Sequence, residues 1–170
     1  MDHLDRFAGF SALGSADKHA DRIIDIIEHT PLFDDFTRDE VARLGQFMLV
    51  YKTPEGAPII LQGEIGDFML LVMNGTVDIS RTDKWDVKKR IAVVTVGQTL
   101  GEMSMLDGEP RFASCTAIES VTFALLDRAG LQKLMHEEPR LASKILMKLT
   151  FMMSQRLRQT SAKLVNYIEK

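Results

Sequence analysis

From Leu49 to Asp127 the chain is a series of short apolar runs cut by glycines, and this pattern sets the narrowest limits on its fold. The runs PIILQ, DFMLLVMNG, TVDIS, RIAVVTV and VTFALLD are punctuated by Gly63, Gly66, Gly75, Gly97 and Gly101. Short strands separated by glycine turns predict an antiparallel barrel or roll. Asn74-Gly75 carries a hairpin signal, and the charged stretch SRTDKWDVKKR predicts an exposed hairpin tip. Within that tip Trp85 is expected to fold back on its own hairpin, with a partner contact as the alternative.

Helical periodicity flanks this region on both sides. Residues 1–14 are mixed in character and expected to be loosely ordered. Ser15 is a candidate N-cap for a helix over ADKHADRIIDIIEHT, in which Ile23, Ile24 and Ile27 share a face that Ile26 broadens. Thr30-Pro31 would stop it, because a residue before proline is pushed out of the α region. In FTRDEVARLGQFM, Thr37 and Glu40 have the spacing of a capping box. After Asp127, RAGLQKLMHEE reads as a short helix. A long one then starts at Pro139 and runs to Lys170, about 45 Å if unbroken. The architecture expected is α+β, an antiparallel, jelly-roll-like β-roll between helices. It divides into an N-terminal extension with one helix (1–30), the roll (31–138) and the long helix (139–170).

Along the second half of that helix, Met153, Leu157, Thr160, Leu164 and Tyr167 follow a heptad seam. A helix this long outreaches a small roll, so the distal seam is expected to face a second copy in a homodimer. Thr160 interrupts the seam with a hydroxyl, beside Ser161, and invites a polar partner. Several methionines, among them Met103, Met105, Met147, Met152 and Met153, suggest a deformable core near the helix.

Enzyme chemistry finds little support. His3, His19, His29 and His136 all lie outside the roll, where a metal-dependent enzyme would need histidines on the strands. P-loop, G-x-S-x-G and H-E-x-x-H patterns are missing. The single cysteine, Cys115, allows no internal disulfide and sits in the strand-like SCTA, which favours a buried structural thiol. A net charge of −3 gives no field to recruit nucleic acid or anionic membrane. No apolar stretch reaches membrane-spanning length, and the N-terminus lacks an export signal. The expectation is a non-enzymatic, cytoplasmic protein that needs neither cofactor nor metal.

GEMSMLDGEPRFASCTA, Gly101 to Ala117, is the segment with chemical content. EMSML can form one turn of helix whose first amides lack internal partners and favour an anion. Asp107-Gly108 closes the turn, Pro110 stiffens the return, and Arg111 comes back able to fork onto a phosphate or a carboxylate. On the residues alone two readings stand. Arg111 pairs with Glu102 or Asp107 as a structural ion pair, or Arg111 and the amides hold a phosphate while Glu102 accepts from a sugar hydroxyl.

The segment resembles the phosphate-binding cassette of the cyclic nucleotide-binding domain family, roughly G-E-x-[AGS]-L-x-x-x-x-x-R-x-A, with Met105 at the usual leucine. ILQGEIGDFMLLVMNGTVDI resembles the family's glycine-punctuated strand pair. MSQRLRQTSAKLVN resembles the dimerising helix of its catabolite-activator branch. The likeness spans about Leu32 to Lys170. It implies a cyclic nucleotide ligand, cAMP first among them. Gly101, Glu102, Met103, Ser104, Arg111, Phe112 and Ala113 would lie around that ligand, with Glu102 on the ribose 2′-hydroxyl and Arg111 on the phosphate. Thr160 and Ser161 would approach the purine, one helix from each subunit.

Phe112 departs from the Ser, Thr or Ala common after the arginine and offers no hydroxyl. This makes a threonine-type cGMP preference unexpected and leaves a cyclic dinucleotide, or an empty site on a scaffold, as alternatives. No helix-turn-helix pattern appears before Lys170. Direct DNA binding is therefore not expected, and the output would pass to an unidentified protein partner; a truncated or indirectly acting transcription regulator is the other reading.

Overall fold

The protein is described from a computed structural model covering residues 7–27, 30, 32, 33 and 35–168. Among the described residues the strands run in chain order: β1 (Ser11–Ser15), β2 (Leu49–Thr53), β3 (Pro58–Ile60), β4 (Phe68–Asn74), β5 (Val77–Thr82), β6 (Lys88–Val94), β7 (Thr99–Leu100), β8 (Ser114–Ala117) and β9 (Val121–Asp127). They build two antiparallel sheets, ordered β1-β2-β9-β4-β7 and β3-β8-β5-β6. The helices are α1 (Ala20–Ile27), α2 (Arg38–Gly45), α3 (Glu102–Asp107), α4 (Arg128–Glu137) and α5 (Pro139–Ile168).

Strand β4 shows why the central sequence is so apolar. Phe68, Leu70 and Val72 point into the lumen between the sheets, where Ile59, Val77, Phe123 and Leu125 meet them. Met69, Leu71 and Met73 point the other way, onto a layer made by Leu44, Leu134, Ile145 and Leu149 of the helices. A strand covered on both faces reads as one continuous hydrophobic run. Of the methionines, Met105 and Met152 are buried with this helix layer, whereas Met103 and Met147 are exposed.

The N-terminal segment differs from its expected form. Residues Phe7–Gly9 form a 3-10 turn, and Ser11–Ser15 pair with β2 as an edge strand. Phe7 is buried in the lumen among Tyr51, Phe68 and Phe123. Ser15 does not cap a helix: it ends β1, and its hydroxyl donates to the Gly45 carbonyl at 3.1 Å. The helix proper begins only at Ala20, after a second 3-10 turn over Ala16–His19, and buries Ile23 and Ile26. Its proposed stop at Pro31 lies outside the described residues. Thr37 and Glu40 form the expected capping box on α2.

Two turns also depart from expectation. Asn74-Gly75 does turn the chain, but β4 and β5 belong to different sheets, so the turn crosses the roll and closes no two-strand ladder. The β5–β6 hairpin carries the charged tip as expected. Trp85, however, is 71% exposed and does not fold back. The carboxylate of Asp83 turns this tip by accepting from the Trp85 and Val87 amides.

Candidate functional site

Helix α3 is flanked by two glycines in the left-handed region, Gly101 before it with φ 82° and Gly108 after it with φ 79°. Its first internal bond runs from the Met105 amide to the Gly101 carbonyl at 3.3 Å. The Glu102, Met103 and Ser104 amides therefore belong to the turn that leaves donors free for an anion. The other end is tied down by Arg128, at the start of α4, which donates to the Ser104 and Met105 carbonyls at 3.2 and 2.8 Å.

Arg111 is 4% exposed and held from several directions. Its main chain pairs with the Gly63–Glu64 turn, through two bonds of 2.8 Å. Its guanidinium donates to the carbonyls of Gly101 at 2.7 Å and Phe68 at 2.8 Å, and lies 4.4 Å from the centroid of the Phe68 ring. Gly66 and Gly101 make room for it. A Cβ on Gly66 would stand 2.1 Å from Arg111 Nε, and one on Gly101 would stand 2.6 Å from Nη1. Two glycines therefore form the slot in which the cation rests.

Glu102 is also buried, but its counter-ion is not Arg111. The carboxylate pairs with Arg156 of the long helix and accepts from the Thr99 hydroxyl at 3.0 Å. Arg156 also donates to the Thr99 carbonyl at 3.2 Å. The sequence offered Glu102, Asp107 and Arg111 as one possible structural cluster. The fold instead brings in a cation from 54 residues away. A faint signal existed: Arg156 stands four residues before Thr160, on the same helical face one turn earlier.

Of the expected residues, Met103, Ser104, Arg111 and Phe112 line one cavity of about 470 Å³, with Gly101 and Glu102 at its helix start. Ala113 is half-buried just before β8, while Thr160 and Ser161 are exposed on the distal part of α5. Cys115 lies buried on β8, where burial pushes its thiol up to about 12, a poor nucleophile. Among the described residues no cluster of His, Cys, Asp and Glu could hold a metal ion, and no helix is long and apolar enough to cross a membrane.

A buried arginine and a buried glutamate flanking one short helix, with free amides between them, suit a ligand having a phosphate at one end and a hydroxyl at the other. The family model for the cyclic nucleotide-binding domain matches residues 51–138, so the chain belongs to that family. A cyclic nucleotide-binding domain from Methylobacillus flagellatus is 35% identical with a TM-score of 0.82, covering 92% of this chain and 88% of that one. The catabolite activator protein of Thermus thermophilus is 30% identical with a TM-score of 0.73, over 79% of this chain and 62% of that one. Among curated proteins, the cyclic AMP receptor protein of Thermus thermophilus is 30% identical over 135 residues, 79% of this chain and 61% of the relative. The chain thus spans about six-tenths of these longer relatives and matches their sensor portion.

Proposed function

We propose that this chain is a non-enzymatic cAMP receptor of the cytoplasm that works as a homodimer through α5. The observation that carries the reading is the link between Glu102 and Arg156. The carboxylate assigned to the ribose 2′-hydroxyl already grips the long helix. A ligand seated with its phosphate on Arg111 and the α3 amides would share Glu102 with Arg156, and so change the restraint on α5. Leu157, Thr160 and Leu164, exposed on the distal half, would meet the same residues of a second copy. Thr160 and Ser161 would there face the purines. The altered helix pair is the signal, passed to a protein partner.

Isothermal titration with cAMP, cGMP and cyclic di-GMP tests the reading. Saturable cAMP binding is expected, reduced about 10- to 150-fold by Arg111→Ala, the worth of charge-assisted hydrogen bonds. No heat with any of the three at high micromolar concentration overturns it. Sedimentation at increasing protein concentration tests the homodimer independently.

A further inference from the structure

Phe112 follows the phosphate-facing arginine and is 58% exposed, and the structure gives its ring a neighbour. The Arg81 guanidinium, from β5, lies 3.9 Å from the centroid of the Phe112 ring. Both side chains are exposed, and both line the cavity that contains Arg111 and Ser104. Two other cations on the same hairpin have carboxylate partners: Arg90 pairs with Asp78 and Lys89 with Asp83. Among the described residues Arg81 has no carboxylate partner.

The stack is positioned by the same turn that positions the phosphate arginine. Gln62 clamps the end of β5, accepting from the Thr82 amide at 2.8 Å and donating to its carbonyl at 3.1 Å. Arg81 is the preceding residue. Gly63 and Glu64, next along the turn, hold the Arg111 main chain. One short turn therefore sets Arg81 and Arg111 against a common cavity.

A ring with a guanidinium on its face is the chemistry that holds nucleobases by stacking. Resting on the proposed receptor role, we propose that Arg81 and Phe112 form a stacking platform for the purine of the bound cyclic nucleotide. Stacking engages a π face that adenine and guanine share, so this wall holds both without choosing between them.

The test compares cAMP, cGMP and the base-free ribose 3′,5′-cyclic phosphate on the wild type, Phe112→Ala and Arg81→Ala. Exposure of both side chains keeps the variants folded, which circular dichroism verifies. Phe112→Ala is expected to weaken cAMP and cGMP alike, about 5- to 150-fold. Arg81→Ala is expected to weaken both about 2- to 30-fold. Affinity for the base-free probe should stay within about twofold, as expected when stacking on the base is what is lost. Equal losses for the base-free probe would place the pair on the phosphate and overturn the platform, as would unchanged affinity for all three. A wild type that binds none of them fails at the receptor reading itself, a separate outcome that removes the platform with it.

Discussion

The two halves of α5 are one unbroken helix in opposite surroundings. In the first half Leu141, Ala142, Ile145, Leu149 and Met152 are buried against β4, β9 and α4. Lys144 reaches Glu40 in the first turn of α2 and the Asp35 carbonyl in the segment before it. In the second half Leu157, Leu164 and Val165 are exposed although the apolar spacing continues. The change comes where Arg156 crosses the cassette and pairs with Glu102. Burial anchors the first half, while the second half presents an apolar seam that only another surface could cover. The junction between them is an electrostatic contact to the candidate site, one that the hydroxyl of the proposed ligand would alter without unfolding anything.

Substitutions along the helix test this contrast. Leu149→Ala, in the docked half, is expected to cost about 2–5 kcal/mol of stability by urea unfolding, because a fully buried leucine leaves a cavity. At the junction, Arg156→Gln strands a buried carboxylate and is expected to cost about 1–3 kcal/mol. A double variant with Glu102→Gln should lose less than the two single changes together, and strict additivity would mean the pair is not coupled.

The Glu40–Lys144 contact is worth about 1 kcal/mol or less in its half-screened position. The Lys144 ammonium and the Thr37 amide hold the Glu40 carboxyl below its usual value. Its contribution is therefore present above the ordinary carboxylate range and fades as pH falls through the lowered value. Glu40→Gln should flatten the acid limb of the stability profile; an unchanged limb would show that the contact does not hold in solution. The smallest effect is expected for Leu157→Ala, within about 0.5 kcal/mol for the dilute single chain. The same change should weaken self-association, and a large loss of stability at high dilution would contradict the exposure of the distal seam.

Much of the roll was legible because its signals are local. Glycines between short apolar runs place strands, Thr37 and Glu40 sit at capping-box spacing, and the cassette has a fixed order from Gly101 to Ala113. Other features were hidden because they depend on contacts distant in sequence. Phe7 lies in a segment of mixed character that says nothing of its burial; only β2, running alongside β1, carries it into the lumen. Asn74-Gly75 specifies a turn but not which sheets its two strands will join. The stack of Arg81 on Phe112 requires β5 and the end of the cassette to meet, which no spacing along the chain reveals.

What the residue order determined by itself is the set of short-range commitments: where strands break, how α2 is capped, and that an arginine returns beside a short helix. Backbone conformation and neighbouring side chains suffice for these, since the partners lie within a few residues. Tertiary structure decided which groups those residues would hold. Glu102 could have taken Arg111, a few positions away, yet it pairs with Arg156 because α5 packs across β4 and brings that cation to the start of α3. Arg111 turns into the slot opened by Gly66 and Gly101, where two carbonyls receive it. Packing of apolar layers sets these distances, and charges separated far along the chain then find each other at no extra loop-closure cost.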